Sequence, residues 1–146
     1  MKALTISQPY ASLIVDGHKP FENRTWECLY RGPLAIHAGK GKQYLDADEL
    51  KAYPTSAILG VCEVYGCIHV PSAREAVASG RSCNGFAANE LSEMLAHPHC
   101  EGPYAILLRD IRKLPEPLAI GGKQGLWNVP GSYVLQIEAA LSGVDG

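Results

Sequence analysis

The chain has 146 residues, 47% hydrophobic and 19% charged, which predicts one folded domain over residues 1–146 with its own core and excludes a disordered chain. Thirteen Lys and Arg against fifteen Asp and Glu give a formal charge of −2, which excludes a bulk electrostatic coat for nucleic acid but not a local basic pocket. Five cysteines with no C-x-x-C pair predict reduced, mostly buried thiols, and no apolar run reaches membrane-spanning length, so a cytoplasmic protein is expected.

Residues 2–7 alternate as a strand. Gln8-Pro9 then opens a helix that Gly17 ends, with Tyr10, Leu13 and Ile14 at helical spacing toward the core. Residues 21–28 read as extended and 33–38 as a strand with Leu34 and Ile36 on one face. Residues 42–53 read as an amphipathic helix with Tyr44, Leu45 and Leu50 on its apolar side. The stretch 56–70, rich in Val and Ile, is the strongest strand signal, and Gly60 and Gly66 predict a bulge or tight bend within it. Two short helices, 72–79 and 88–96, and two further strands, 103–114 and 132–140, complete the set. Strands interrupted by helices, without regular βα alternation, predict an α+β chain built on a small mixed β-barrel with flanking helices.

The stretch GHKPFENRTW, residues 17–26, is unusually polar beside core-forming segments. If 21–26 is extended, Glu22, Arg24 and Trp26 share one face, with Lys19 just upstream at the helix exit. An indole stacks on a base, a carboxylate accepts from an amine or ring N–H, and Arg and Lys meet phosphate or carbonyl oxygen. A plain Glu22–Arg24 pair beside a core Trp26 fits the same spacing.

The chain resembles the ASCH (activating signal cointegrator homology) family. The resemblance rests on QPYASLIV at 8–15, then Gly17, Lys19, Glu22, Arg24 and Trp26, then Arg31, Gly32, Leu34, Ile36, His37 and Ala38, and on the distant Gly122, Lys123 and Trp127. It implies a barrel related to the PUA RNA-binding module, with the G-x-K-x-x-E-x-R motif, here Gly17, Lys19, Glu22 and Arg24, lining a cleft. It also implies RNA binding linked to coactivation, RNA processing or translation. One branch of the wider family looks like small amidohydrolases that deacylate N4-acetylcytidine with a threonine three residues after the motif lysine; Glu22 stands there in this chain. That mechanism does not carry over intact, although Glu22 could act as a base toward water with Lys19 or Arg24 stabilising the oxyanion. Other members have been proposed as ribonucleases.

Further candidates lie outside the motif. His37 is either a cleft residue, followed by Lys40, or a half-buried histidine satisfied by the fold. Glu63, on one strand face with Leu59, Val61 and Tyr65, needs a cation if buried and none if it sits at an edge. In GGKQGLWNV (121–129), Lys123, Trp127 and Asn128 are candidate walls of the cleft, with Trp127 equally fitting a core plug. The cluster AHPHC (96–100) has no metal-site spacing, so neither a metal nor a cofactor is expected.

Three readings result. The first is a domain, monomeric in expectation, binding RNA or a nucleotide-like ligand. The second is a small hydrolase of a modified nucleoside or single-stranded RNA, with Lys19 and Glu22 as catalytic residues. The third is a protein-interaction scaffold.

Overall fold

The computed structural model describes residues 1–41 and 44–145. Its elements are β1 (Lys2–Ile6), α1 (Tyr10–Val15), β2 (Phe21–Arg24), β3 (Gly32–Ala38), α2 (Glu49–Ala52), β4 (Ala57–His69), α3 (Val70–Ala78), α4 (Ala88–Ala96), β5 (Tyr104–Ala119), β6 (Leu126–Asn128) and α5 (Gly131–Asp145). The strands run in the order β2-β5-β4-β3-β1-β6 in a mixed sheet, the α+β class the sequence predicts. Two compact units share the long strands. One comprises Met1–Lys19, Pro33–Glu63 and Asp110–Gly146, the other Pro20–Gly32 and Val64–Arg109. No helix among the described residues is long and apolar enough to cross a membrane.

In the first unit β1 is flanked on both sides. It pairs in parallel with β3, from Lys2↔Leu34 to Ile6↔Ala38, and antiparallel with β6, from Lys2↔Asn128 to Leu4↔Leu126. Residues 34–38 of β3 are all buried, so this strand is covered on both faces and not only on the Leu34–Ile36 face. The core gathers Ala3, Ala35, Ile58, Leu114, Trp127, Val129, Ile137 and Leu141. Helix α1 turns Ala11, Ile14 and Val15 inward, one position off the expected face, leaving Tyr10 and Leu13 half-buried.

The segment 132–140 is helix, not strand. A strand would place Leu135 and Ile137 on one face, but Leu135 is 68% exposed while Ile137 is fully buried. Val134, Ile137 and Leu141 recur at helical spacing, and the Pro130 carbonyl accepts the Tyr133 and Val134 amides at the helix entry. Helix α2 is also shorter than 42–53. The Asp46 carboxylate accepts the amides of Asp48 and Glu49, so the helix begins only there. Lys42, Gln43 and the Leu50 side chain lie outside the described residues.

Gly60 and Gly66 serve close packing, and neither adopts left-handed backbone. A Cβ on Gly60 would stand 2.8 Å from the Arg112 carbonyl oxygen, and one on Gly66 would stand 2.9 Å from the Phe86 ring. The left-handed position falls instead on β5, at Asp110 with φ of 53°. Before it, the Leu108 amide points to the β2 side and donates to Pro20; after it, the Ile120 amide donates to Ser56 on the β4 side. One residue in αL therefore reverses which parity of amide faces outward. Pro115 and Pro117 then have their missing N–H groups on the outward side, where β2 reaches only Tyr104–Leu107. That is why the strand continues through two prolines, past the expected end at Leu114.

The second unit has its own core of Phe21, Ile68, Val70, Ala73, Ala76, Leu91, Cys100, Ala105 and Leu107. Helices α3 and α4 fall where the sequence predicts them. Pro71 sits in the first turn of α3, and the Glu90 carboxylate accepts the Ala87 amide at the start of α4.

The corrected helix makes a direct prediction. Ile137→Ala should cost about 2–4 kcal/mol in urea unfolding, whereas Leu135→Ala should change stability by less than about 0.5 kcal/mol.

Candidate functional site

The motif begins with a helix exit. The Gly17 amide donates to Ile14 and the His18 amide to Leu13, the two bonds of a Schellman termination, and Gly17 takes the left-handed φ of 84° that this turn needs. The Lys19 amide also donates to the Leu13 carbonyl, which folds the chain back along its own helix. Lys19 consequently keeps only 3% of its surface exposed, and its ammonium lies 5.0 Å from the centre of the Tyr10 ring at the opposite end of α1. At that distance the ring face offers the cation electrostatic compensation. Tyr10 in turn takes an edge contact from Tyr44, with ring centres 5.4 Å apart. Gln8, fully buried, accepts the Ser12 amide and donates to the Ser12 hydroxyl and the Pro54 carbonyl, anchoring the start of the helix.

In the second unit, Glu22 and Arg24 share one face of β2 as the alternation predicts. Arg24 Nη2 donates to Glu22 Oε2 at 3.0 Å, with Glu22 6% exposed. The opposite face is structural. Phe21 enters the core, and Asn23 grips the 99–102 loop by donating to the His99 carbonyl and accepting the Glu101 and Gly102 amides. Trp26 does not continue the ladder. Arg24 pairs with Tyr104, so residue 25 would face Pro103, which has no N–H to offer. Trp26 is half-buried at a bend beyond the strand.

His37 is a satisfied core histidine, 1% exposed. Its Nε2 meets the Ile120 carbonyl at 2.6 Å, and a carbonyl can only accept, so Nε2 carries the proton. Nδ1 then accepts the Thr5 hydroxyl at 3.2 Å, while Thr5 Oγ1 accepts the Trp127 indole N–H at 3.0 Å. The His37 and Trp127 rings also meet edge-on, 5.4 Å apart. Burial lowers the His37 pKa, partly offset by the bond to Ile120, so the ring stays neutral at pH 7. Gly122 lies over this chain. A Cβ there would be 2.6 Å from both His37 Cε1 and Thr5 Oγ1, so the loop carries glycine for steric reasons.

Trp127 is thus a 5%-exposed core residue with a polar handle. Lys40, Lys123 and Asn128 are exposed, and Glu63 is half-buried on β4. Within the units, the structure brings together His37 with Trp127, and Glu22 with Arg24. Sequence reasoning missed Tyr10 as the ring under Lys19, Gln8 as the anchor and Thr5 as the bridge. Thr5 within a buried strand was the available signal. No group of three or more His, Cys, Asp or Glu among the described residues could hold a metal ion.

The ASCH domain family model matches residues 4–109. The fold is similar to the crystal structure of ASCH from Zymomonas mobilis, with a TM-score of 0.57 and 14% identity over 94% of this chain and 93% of that one. A tyrosine-to-phenylalanine mutant of the Zymomonas mobilis protein gives 0.57 and 14%, covering 94% of this chain and 96% of its own. A serine-to-alanine mutant gives 0.56 and 15%, covering 94% of each chain. At these identities the likeness is one of fold. No curated protein matches the chain.

The neutral His37 implies a pH dependence. Its folded pKa lies below the ordinary 6.5, so the unfolded chain binds more protons between the two values. The stability that neutral His37 supports is present above pH 6.5 and is lost as pH falls from there through the lowered folded pKa. Thermal melts from pH 7.5 to 5 should fall more steeply for the wild type than for His37→Gln.

Proposed function

The chain belongs to the ASCH domain family, and from that premise we propose that it binds RNA or a nucleotide-like ligand through Lys19, Glu22 and Arg24. The observation that carries this reading is the near-complete burial of Lys19 and Glu22 within four consecutive residues, at 3% and 6% exposure. Burying ionised groups costs several kcal/mol that an apolar pair of the same volume would not cost, so their retention points to a task other than stability. In this reading, Lys19 offers a point contact to one phosphate or carbonyl oxygen. Arg24, whose side chain is 24% exposed, supplies the broader, forked contact. Glu22 both orients Arg24 and accepts from a base amine. The exposed Lys40, Lys123 and Asn128 are available to a longer strand. A formal charge of −2 favours a compact ligand over long duplex nucleic acid.

A hydrolase reading uses the same groups, with Glu22 as base toward water and Lys19 or Arg24 meeting the developing oxyanion. The Glu22–Arg24 bond favours binding over that role, because one carboxylate oxygen is already engaged.

The test is titration of purified protein into labelled single-stranded RNA and a panel of modified nucleosides, with mass spectrometry for cleaved or deacylated product. Lys19→Ala should weaken binding at least about tenfold with an unchanged circular dichroism spectrum. Wild-type product absent from the variant would establish the hydrolase instead. Absence of both binding and product would overturn the nucleic-acid reading and leave the interaction scaffold.

A further inference from the structure

All five cysteines are free thiols, and two of them meet within the second unit. Cys67, on β4, and Cys28, in the segment after β2, are 6% and 1% exposed. The Cys28 amide donates to Cys67 Sγ at 3.5 Å, and the Cys28 thiol makes only a long contact of 3.8 Å to the Tyr30 carbonyl. The amide–sulfur contact makes the two cysteines direct neighbours, and a bond between them needs the Cys28 sulfur to leave its weak carbonyl contact and turn toward Cys67. Arg31 holds the segment in place, donating from Nη1 to the Cys28 carbonyl at 2.8 Å and the Tyr30 carbonyl at 2.9 Å. Burial raises the Cys67 pKa; the Cys28 amide and the Arg31 guanidinium oppose that rise, while the Cys28 thiol and Glu27 add to it.

We propose that Cys28 and Cys67 form a reversible disulfide on exposure to peroxide, tying the segment after β2 to β4. Cys67 is the attacking thiol, because at 6% against 1% it is the more exposed of the two and the one that peroxide reaches first. Its thiolate displaces hydroxide from hydrogen peroxide to give a sulfenic acid. The Cys28 sulfur then attacks that sulfur and displaces water, forming the S–S bond. In sum, two thiols and one peroxide yield one disulfide and two waters, with two electrons passing from sulfur to peroxide. Cys62, an odd number of positions from Cys67 on the same strand, points to the other face, and burial pushes its thiol up to about 12. It takes no part. The cross-link stands independently of the ligand-binding reading.

The experiment treats the folded chain with hydrogen peroxide, quenches, blocks free thiols in denaturant and maps tryptic peptides with and without dithiothreitol. Trypsin releases Cys28 in peptide 25–31 and both Cys62 and Cys67 in peptide 52–74. A joined pair of these peptides is expected, about 2 Da lighter than their sum and separated by dithiothreitol. It should persist in Cys62→Ser and vanish in Cys28→Ser and in Cys67→Ser. A cross-link that survives in Cys67→Ser would overturn the proposal. So would oxidation of single cysteines to sulfinic acid without the joined peptide, or thiols left fully reduced after treatment that oxidises free cysteine.

Discussion

An ammonium removed from water must be met by other charge, and the burial of Lys19 is the constraint around which its surroundings are arranged. Helix α1 is only six residues long, which brings its exit back over the ring of its first residue, Tyr10. The left-handed turn at Gly17 makes that return possible, and three amides, of Gly17, His18 and Lys19, close it. Gln8, fixed to Ser12 and Pro54, holds the other end of the helix still. Gly17 and Lys19 therefore have a backbone reason for their places before any ligand is considered.

The first unit depends on a second set of polar contacts. The Thr5 hydroxyl links strands β1, β3 and β6 through His37 and Trp127, and His37 passes the connection on to the Ile120 carbonyl. These bonds run in one direction, from the Trp127 N–H through the Thr5 hydroxyl to His37 Nδ1 and from Nε2–H to Ile120, and the geometry fixes the histidine tautomer. A group so fully committed within the fold is poorly suited to shuttling protons, which moves weight from His37 to the 19–24 stretch. The glycine-rich loop has the same character. Gly122 is there because His37 and Thr5 occupy the space a side chain would need.

Much of the architecture was legible because local and tertiary signals agreed. The Val- and Ile-rich run around Gly60, the strand at 2–7 and the helices at 72–79 and 88–96 all fall where periodicity places them. The polar motif was legible too, and Glu22 with Arg24 share the expected strand face. What escaped were features decided by partners distant in sequence. Residues 132–140 alternate Tyr133, Leu135 and Ile137 as a strand would, and the exposure of Leu135 against the burial of Ile137 shows the helix. Trp26 leaves the face of Glu22 because the partner strand begins after a proline. The helical spacing of Tyr10 predicts a core aromatic, and its role under Lys19 arises from a chain reversal that spacing does not encode.

The two prolines of β5 have a consequence for how this protein behaves at high concentration. An exposed strand flank with a full set of amides is a template on which another chain can lay down a strand of its own, the first step toward fibrils. Asp110, by reversing the parity of the strand, turns Pro115 and Pro117 so that the outward flank lacks donors at alternate positions. A single residue in a left-handed conformation thereby helps determine that this flank ends in solvent and does not seed a stack.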